Sequence, residues 1–138
     1  MIQVDPGESR LIYLDTSVAL AMLLHEDRRP PDELWDQTLV SSRLLQYEVW
    51  SRVHAYNLVP SHGAEVSAFL TGVSFIELTP DVLVRALDAL PKPVRTLDAL
   101  HLASMDFLRR QGQVITLASY DDRFLAAARQ MKFEVAEL

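Results

Sequence analysis

The sequence has 138 residues, of which 49% are hydrophobic and 23% are charged, and it contains no cysteine. This length predicts one domain, residues 1–138, with a single core, and the composition excludes intrinsic disorder. The lack of cysteine excludes a disulfide scaffold and a thiolate metal site. The 19 acidic and 13 basic side chains give a net charge of -6, which by itself argues against a nucleic acid partner.

Neither a membrane span nor a secretory signal is expected from the sequence. The longest apolar run, Val18 to Leu24, has seven residues, whereas about 20 are needed to cross a bilayer. The first ten residues contain Asp5 and Glu8 and no apolar block, unlike a secretory signal. The expected location of the protein is therefore the cytoplasm.

Apolar runs and helical spacing predict strands that alternate with helices. Residues 11–14 form an apolar run that is typical of a buried strand. A hydroxyl of Thr16 or Ser17 is expected to cap the next helix, and Ser41 or Ser42 a later one. In chain order, we predict strand 11–14, helix 16–24, a short helix 31–35, strand 39–40, helix 42–58, helix 63–70, strand 75–78, helix 80–90, helix 96–110, strand 114–117, helix 121–131 and a short fifth strand 133–135.

This alternation predicts an α/β fold with three layers, in which helices cover both faces of a mainly parallel sheet of four to five strands. The carboxyl ends of parallel strands meet at one edge, where open sheets bind ligands. Asp15 follows the first strand, and Asp121 follows the fourth. Asp98 begins the helix that leads into the fourth strand, and Glu48 lies about two turns into the helix after the second. We therefore expect four carboxylates at one place.

Such a cluster predicts a metal site, because carboxylates at short range repel one another unless a cation lies between them. Oxygen ligands suit Mg²⁺ or Mn²⁺, which can activate a water for phosphodiester hydrolysis. The same acids also have structural interpretations: Asp98 and Asp121 as N-terminal helix acids, Asp15 as a cap, and Glu48 as a surface or salt-bridge residue. Only one of Asp121 and Asp122 is expected to face the metal, since neighbours on a helix point in different directions.

Other candidate sites are less well supported. His101 lies three residues after Asp98, on the same helix face, where a hydrogen-bonded histidine at the edge of the core is favoured over a ligand or a proton-transfer residue. The remaining histidines form no spaced cluster, which disfavours zinc. The four glycines are isolated, so no P-loop or Rossmann phosphate loop is predicted. Arg43, Arg52, Lys92 and Arg95 are candidates for binding phosphate, and Arg95 is favoured because it lies three residues before Asp98.

Four stretches carry a family signature. They are Tyr13-Leu14-Asp15-Thr16-Ser17-Val18-Ala19, residues 42–49 with Ser42, Leu45, Glu48 and Val49, Arg95-Thr96-Leu97-Asp98-Ala99-Leu100-His101-Leu102-Ala103, and Ser119-Tyr120-Asp121-Asp122-Arg123. In this order and spacing they resemble the PIN domain family, in particular the VapC-type toxins of prokaryotic toxin–antitoxin pairs. The resemblance covers nearly the whole chain, and residues 95–103 are its most specific part.

The resemblance implies one acidic site for Mg²⁺ or Mn²⁺, formed by Asp15, Glu48, Asp98 and Asp121. Members of the family cleave RNA at this site, commonly as homodimers, and a cognate antitoxin can block it. Ser17 matches a position that often helps to hold the metal or its water, and Ser119 keeps a hydroxyl where threonine is common. One departure is the stretch 1–10, which precedes the first strand where many members begin almost at once.

The expected function is therefore that of a metal-dependent endoribonuclease toxin. The alternative is a non-catalytic PIN-like module that binds RNA or protein and in which the acids are structural. When the four site acids are set aside, 15 acidic side chains remain against 13 basic ones, a net charge of -2. The acidic balance consequently no longer argues against a nucleic acid partner, because much of the excess lies where metal ions would separate protein from phosphate.

Overall fold

The computed structural model describes residues 10–88 and 94–138. Within these ranges strands alternate with helices, and the predicted α/β fold is confirmed. The strands are β1 (Arg10–Leu14), β2 (Thr38–Ser42), β3 (Val73–Ile76), β4 (Val114–Ala118) and β5 (Glu134–Val135). The helices are α1 (Thr16–Leu23), α2 (Leu44–Ala55), α3 (Val59–Thr71), α4 (Pro80–Leu87), α5 (Thr96–Arg110) and α6 (Asp122–Gln130), with a 3-10 helix at Asp32–Asp36. None of the helices in these ranges is both long enough and apolar enough to cross a membrane.

The five strands form one parallel sheet in the order β3-β2-β1-β4-β5. β1 is central, since Ile12 is paired with Leu39 of β2 on one side and with Thr116 of β4 on the other. The chain adds β2 and β3 on one side of β1 and then crosses over to add β4 and β5 on the other. The strand order thus reverses between β1 and β4, and their carboxyl ends flank the crevice in which open sheets bind ligands.

Apolar side chains cover both faces of the sheet, as the three-layer prediction requires. Ile12 and Leu14 of β1 belong to one buried cluster with α1, α2 and α3, whereas Tyr13 belongs to a second cluster with α5 and α6. This alternation follows from the two-residue period of a strand, and burial on both faces explains the continuous apolar run of β1. Leu102 and Met105 anchor α5 in the second cluster, so that the first turn of α5 is held in place at the site edge.

The predicted hydroxyl cap of the first helix is wrong, and in the second helix Arg43 rather than Ser41 or Ser42 occupies the N-cap position. In α1, the Thr16 hydroxyl is buried and has no hydrogen-bond partner in the described part of the chain. Ser17 Oγ accepts from the backbone N–H of Tyr120 rather than from its own helix. Its hydroxyl donates to the Asp15 carboxylate at 2.7 Å, a charged acceptor that makes the stronger hydrogen bond. In α2, Ser42 Oγ accepts a hydrogen bond from the backbone N–H of Leu44 at 3.1 Å.

The boundary between the second and third helices differs from the prediction. α2 ends at Ala55 rather than at residue 58, and α3 begins at Val59 rather than at residue 63. Asn57 has a φ of 56°, a left-handed conformation that ends a helix. Pro60 lies in the first turn of α3, where its missing N–H leaves no helical hydrogen bond unmade. α4 ends at Leu87, before the predicted end at residue 90, which lies outside the described residues.

Candidate active site

A cleft opens at the carboxyl edge of the sheet, beside the ends of β1 and β4. All four acids predicted for the site line it: Asp15, Glu48, Asp98 and Asp121. They come from the end of β1, from α2, from the first turn of α5 and from the start of α6. The cleft has a volume of about 920 Å³, which is large enough for a small-molecule or nucleotide ligand. The topology of the sheet thus brings four distant segments to one place.

Asp15 is buried at the end of β1. Its backbone N–H donates to the carbonyl of Ala118 at 2.9 Å, which extends the pairing of β1 and β4 to the site. Its Oδ2 accepts from the hydroxyls of Ser17 at 2.7 Å and Ser119 at 2.8 Å. Burial raises the pKa of Asp15, although the two serine hydrogen bonds act in the opposite direction. No hydrogen bond from residues 10–88 or 94–138 reaches Oδ1, and this oxygen is available to a cation.

Ser17 and Ser119 fasten the loop between β4 and α6 to the start of α1. Ser17 Oγ accepts from the backbone N–H of Tyr120 at 3.0 Å, and Ser119 Oγ accepts from that of Asp121 at 2.9 Å. Because each hydroxyl also donates to Asp15, one network fixes the positions of Asp15 and Asp121 relative to each other. The single hydrogen of Ser17 is used by Asp15, so this serine orients the carboxylate in the structure.

Arg95 lies between two of the acids as an internal cation. Its Nε donates to Asp98 Oδ2 at 3.0 Å, and a terminal nitrogen of its guanidinium donates to Asp121 Oδ2 at 2.6 Å. Asp98 is buried, whereas the side chain of Arg95 is 61% exposed. Arg95 can therefore turn into solvent and release both carboxylates without disturbing the core.

Asp121 and Asp122 are adjacent but have different surroundings. Asp121 Oδ1 accepts from the backbone N–H groups of Arg123 at 3.0 Å and Phe124 at 3.2 Å and caps α6. Its Oδ2 faces Arg95 in the cleft. Asp122 is exposed and is not part of the cleft lining. The structural interpretation of Asp121 is thus confirmed for Oδ1, while Oδ2 faces the cleft.

Glu48 contacts a buried histidine on α5. His101 Nε2 lies 2.7 Å from Glu48 Oε1, and His101 Nδ1 lies 2.7 Å from the hydroxyl of Tyr13. His101 is 1% exposed, which confirms the prediction of a hydrogen-bonded histidine at the edge of the core. The side chain of Glu48 is 24% exposed and borders the cleft.

The lining of the cleft carries six acidic and three basic side chains and is negatively charged. Within the two described ranges, no three Asp, Glu or His side chains stand close enough together to hold a metal ion as they are placed. Each site acid instead has an internal partner: serine hydroxyls for Asp15, Arg95 for Asp98 and Asp121, and His101 for Glu48. The donor set still fits a hard cation, because it consists of carboxylate oxygens and because a guanidinium already lies between two of them.

The candidate phosphate-binding residues divide into two groups. Arg52 and Arg95 line the cleft. Arg43 instead pairs with the exposed Glu77 and is not part of the cleft lining, while Lys92 lies outside the described residues. Arg28 also lines the cleft. The sequence did not predict this position, because no periodic pattern or motif pointed to Arg28.

Arg28 lies in the segment between α1 and β2. Its guanidinium stacks over the ring of Tyr120, 5.3 Å from the ring centre, and donates to the Tyr120 carbonyl at 3.1 Å. A cation over an aromatic face is attracted by the ring. Since 92 residues separate the two partners, only the folded chain reveals that this cationic side chain lies at the cleft.

Comparison with known proteins agrees with the predicted resemblance. The profile of the PIN domain family matches residues 12–130. Ribonuclease VapC47 of Mycobacterium tuberculosis (strain CDC 1551 / Oshkosh) is 27% identical over 133 residues, which cover 91% of this chain and 96% of the relative. The crystal structure of Mycobacterium tuberculosis VapC20, described as a Sarcin-Ricin loop cleaving toxin, matches with a TM-score of 0.64 at 22% identity, over 84% of this chain and 94% of that one. The chain belongs to the PIN domain family.

Proposed function

We propose that this protein is a Mg²⁺- or Mn²⁺-dependent endoribonuclease that acts as the toxin of a type II toxin–antitoxin pair. The observation that carries the proposal is the convergence of four carboxylates from separate segments on one cleft, at the point where the strand order reverses. Membership of the PIN family and similarity to a protein named as a ribonuclease support it. Under this proposal the chain is a single PIN-like domain that acts on RNA in the cytoplasm.

Asp15, Glu48, Asp98 and Asp121 would hold the proposed ion. Once bound, it would supply an activated water and stabilise the leaving oxygen of the phosphodiester. Ser17 and Ser119 hold Asp15 Oδ2, so that Oδ1 is presented to the ion. Arg28 and Arg52 lie in the same cleft, where their positive charge binds and positions the RNA phosphates.

We propose that a cognate antitoxin protein blocks the cleft with a basic side chain, and that a second copy of the chain forms a homodimer with the first. Arg95 already places a guanidinium between Asp98 and Asp121, and an arginine from a partner would make the same charge-assisted hydrogen bonds. Expression of the chain alone should arrest growth, and co-expression of an antitoxin encoded beside it should relieve the arrest. Unimpaired growth with the intact chain would contradict the role of toxin.

The second candidate function is that of a non-catalytic PIN-like module that binds RNA or protein. It is favoured by the internal partners of the acids, since Asp121 caps α6 and Asp98 pairs with Arg95. In that case the acids would stabilise the fold and bind no ion. Removing their charge would then lower stability and leave any nuclease activity of the preparation unchanged, the reverse of the enzymatic expectation.

Asp121→Asn and Asp122→Asn form a matched pair of variants that tests the proposal. Asparagine keeps an oxygen that caps a helix, so Asp121→Asn removes a site charge and preserves the start of α6. We expect this variant to cleave RNA about a hundredfold more slowly, a typical loss when one electrostatic contact to the reacting group is removed. Asp122→Asn removes the same charge from an exposed neighbour and should cleave at the wild-type rate.

The measurement is the rate of cleavage of a fluorescently labelled RNA with added Mg²⁺, with added Mn²⁺, and with a chelator. Wild-type cleavage should require the added ion. Equal rates for the wild type and Asp121→Asn would contradict the proposal, because a contaminating nuclease would then explain the activity. An equal loss in both variants would contradict it as well, since total charge and not a defined site would then determine the rate.

A further inference from the structure

A chain of buried hydrogen bonds links the core to Glu48. The backbone N–H of Ser42 donates to the Tyr13 hydroxyl at 3.1 Å, this hydroxyl lies 2.7 Å from His101 Nδ1, and His101 Nε2 lies 2.7 Å from Glu48 Oε1. Tyr13 and His101 are 0% and 1% exposed. This series of hydrogen bonds therefore begins at the backbone of β2 and ends at a carboxylate of the cleft.

The donors and acceptors of this chain fix the form of the histidine. A carboxylate only accepts hydrogen bonds, so the contact with Glu48 requires a hydrogen on Nε2 of His101. In the neutral ring, Nδ1 then accepts from the Tyr13 hydroxyl. The Tyr13 hydroxyl, which accepts from the backbone N–H of Ser42, has its own hydrogen available for this bond. In each of these hydrogen bonds, the donor is thus the partner nearer the core and the acceptor is the partner nearer the cleft.

Packing holds the imidazole ring in one orientation. The ring of Tyr13 meets that of His101 edge-on, with centres 5.8 Å apart and an angle of 86° between the planes, and Phe124 lies against it at 5.9 Å. A buried polar ring is unfavourable unless its polar atoms are bonded, and an apolar residue would fill this space without that requirement. What the histidine adds is a fixed donor directed at Glu48.

The buried network lies directly beside the other site residues. Tyr13 is two residues before Asp15 and on the same face of β1, and His101 is one helical turn after Asp98 on α5. One site acid and one residue of the network therefore lie together on α5, and another such pair lies on β1 and directly after it. Glu48, on α2, has its position tied to both elements through His101.

We propose that His101 is a positioning residue for Glu48, supported by Tyr13, and that it sets the affinity of the cleft for its divalent ion. It restrains Glu48 Oε1 and leaves Oε2, which has no hydrogen bond from the described residues, for the ion. This inference rests on the proposed function of the cleft. Without the imidazole, the flexible glutamate side chain would occupy several rotamers, and binding the ion would first require it to be ordered.

Mn²⁺ titration by calorimetry tests the proposal with His101→Leu and His101→Gln. Leucine fills similar space without a donor, whereas glutamine offers an amide N–H near the position of Nε2. We expect the dissociation constant for Mn²⁺ to rise about tenfold in His101→Leu, a typical effect of losing a group that orients a ligand. His101→Gln should recover most of the affinity. In cleavage assays, the loss should appear in kcat and leave the KM for RNA unchanged.

A double-mutant cycle separates positioning from a general effect on the fold. If His101 acts through Glu48, adding His101→Leu to Glu48→Gln should cause no further loss of Mn²⁺ affinity. A full additional loss would overturn the proposal, as would wild-type affinity in His101→Leu. Failure of the wild type itself to bind Mn²⁺ and cleave RNA would instead overturn the proposed function, so the two failures are distinguishable.

The metal-free protein offers an independent measurement. In the ¹⁵N spectrum of the histidine side chains, His101 should be protonated at Nε2 and unprotonated at Nδ1. Glu48→Ala should shift its Nε2 signal, and Tyr13→Phe its Nδ1 signal. A His101 spectrum that neither variant changes would show that the chain of hydrogen bonds is not formed and would overturn the proposal.

Discussion

Replacing Asp15 with asparagine is expected to abolish RNA cleavage and at the same time to raise the thermal stability of the metal-free protein. Cleavage should fall at least about a hundredfold, because the variant loses a charged oxygen of the proposed ion site. Stability should rise because asparagine still accepts hydrogen bonds from Ser17 and Ser119 but carries no charge that burial disfavours. The two effects have opposite signs, as expected of a residue retained for function.

The gain in stability should depend on pH. Burial raises the pKa of Asp15 in the folded chain above its value in the unfolded chain. Protonated Asp15 therefore contributes stability that is fully present below the unfolded pKa and is lost as pH rises through the folded pKa. At neutral pH, above the unfolded pKa, this contribution is diminished, whereas asparagine does not titrate, and the variant should melt about 3–5 °C higher, the shift for about 1 kcal/mol in a domain of this size.

Thermal unfolding with a chelator at pH 7 and near pH 4 provides the measurement. The difference between Asp15→Asn and the wild type should be clear at pH 7 and shrink in acid. Added Mn²⁺ should stabilise the wild type and not the variant, because only an ion bound to the folded state raises stability. A variant that is less stable at pH 7, or that still cleaves RNA at the wild-type rate, would contradict the assignment of Asp15.

Of the substitutions proposed here, Asp106→Ala should lower the free energy of unfolding the most. Asp106 is 4% exposed, and three arginines reach its carboxylate: Arg85 at 2.9 Å, Arg109 at 3.0 Å and Arg110 at 2.9 Å. Breaking a buried ion pair from one side costs about 3–5 kcal/mol. The arginines here are partly exposed and can be rehydrated, so we expect about 2–3 kcal/mol. The cleft should keep its activity, because none of these four residues lines it.

The contribution of Asp106 to the stability of the fold should also depend on pH. Burial acts to raise its pKa, but the hydrogen bonds from Arg85 and Arg109 outweigh this and lower it. Its contribution is therefore present above the unfolded pKa and is lost as pH falls through the folded pKa. Denaturant unfolding should show a clear difference between variant and wild type at pH 7 that diminishes in strong acid.

Glu77→Ala is the matched control for Asp106→Ala. It removes the partner of Arg43 from an exposed pair, and exposed pairs contribute about 0–1 kcal/mol. Its unfolding free energy should differ little from that of the wild type. Similar losses in the two variants would show that burial of the Asp106 carboxylate does not govern the effect.

The architecture could be predicted because its signals are local. The apolar run of β1 reflects burial on both faces, and the apolar stripe of α5 reflects packing on one face of the sheet. The break between α2 and α3 was predicted, but its position was wrong, because a left-handed Asn57 is a property of one backbone angle and leaves the helical spacing of its neighbours unchanged. The contacts of the Ser17 hydroxyl likewise depend on Tyr120 and Asp15, which only the folded chain places around it.

The placement of the four acids could be predicted from their positions after strands and at helix starts, since these positions determine the edge at which a residue lies. The residues that form hydrogen bonds with and around these acids could not be predicted. Tyr13 and His101 are 88 residues apart, and Arg95 and Asp121 are 26 apart. No spacing rule joins such pairs, because they meet only through the packing of helices on the sheet. The contacts that orient the acids are consequently visible only in the folded chain.

The central claim is that the acids of the cleft together hold a divalent ion, and calorimetric titration of Mn²⁺ into the wild type and Asp98→Asn tests it most directly. Asp98 is the buried acid of the cleft whose Oδ2 accepts from Arg95. We predict saturable binding by the wild type and an affinity at least about tenfold weaker in Asp98→Asn. Equal affinity in the two proteins, or no binding by the wild type, would contradict the claim.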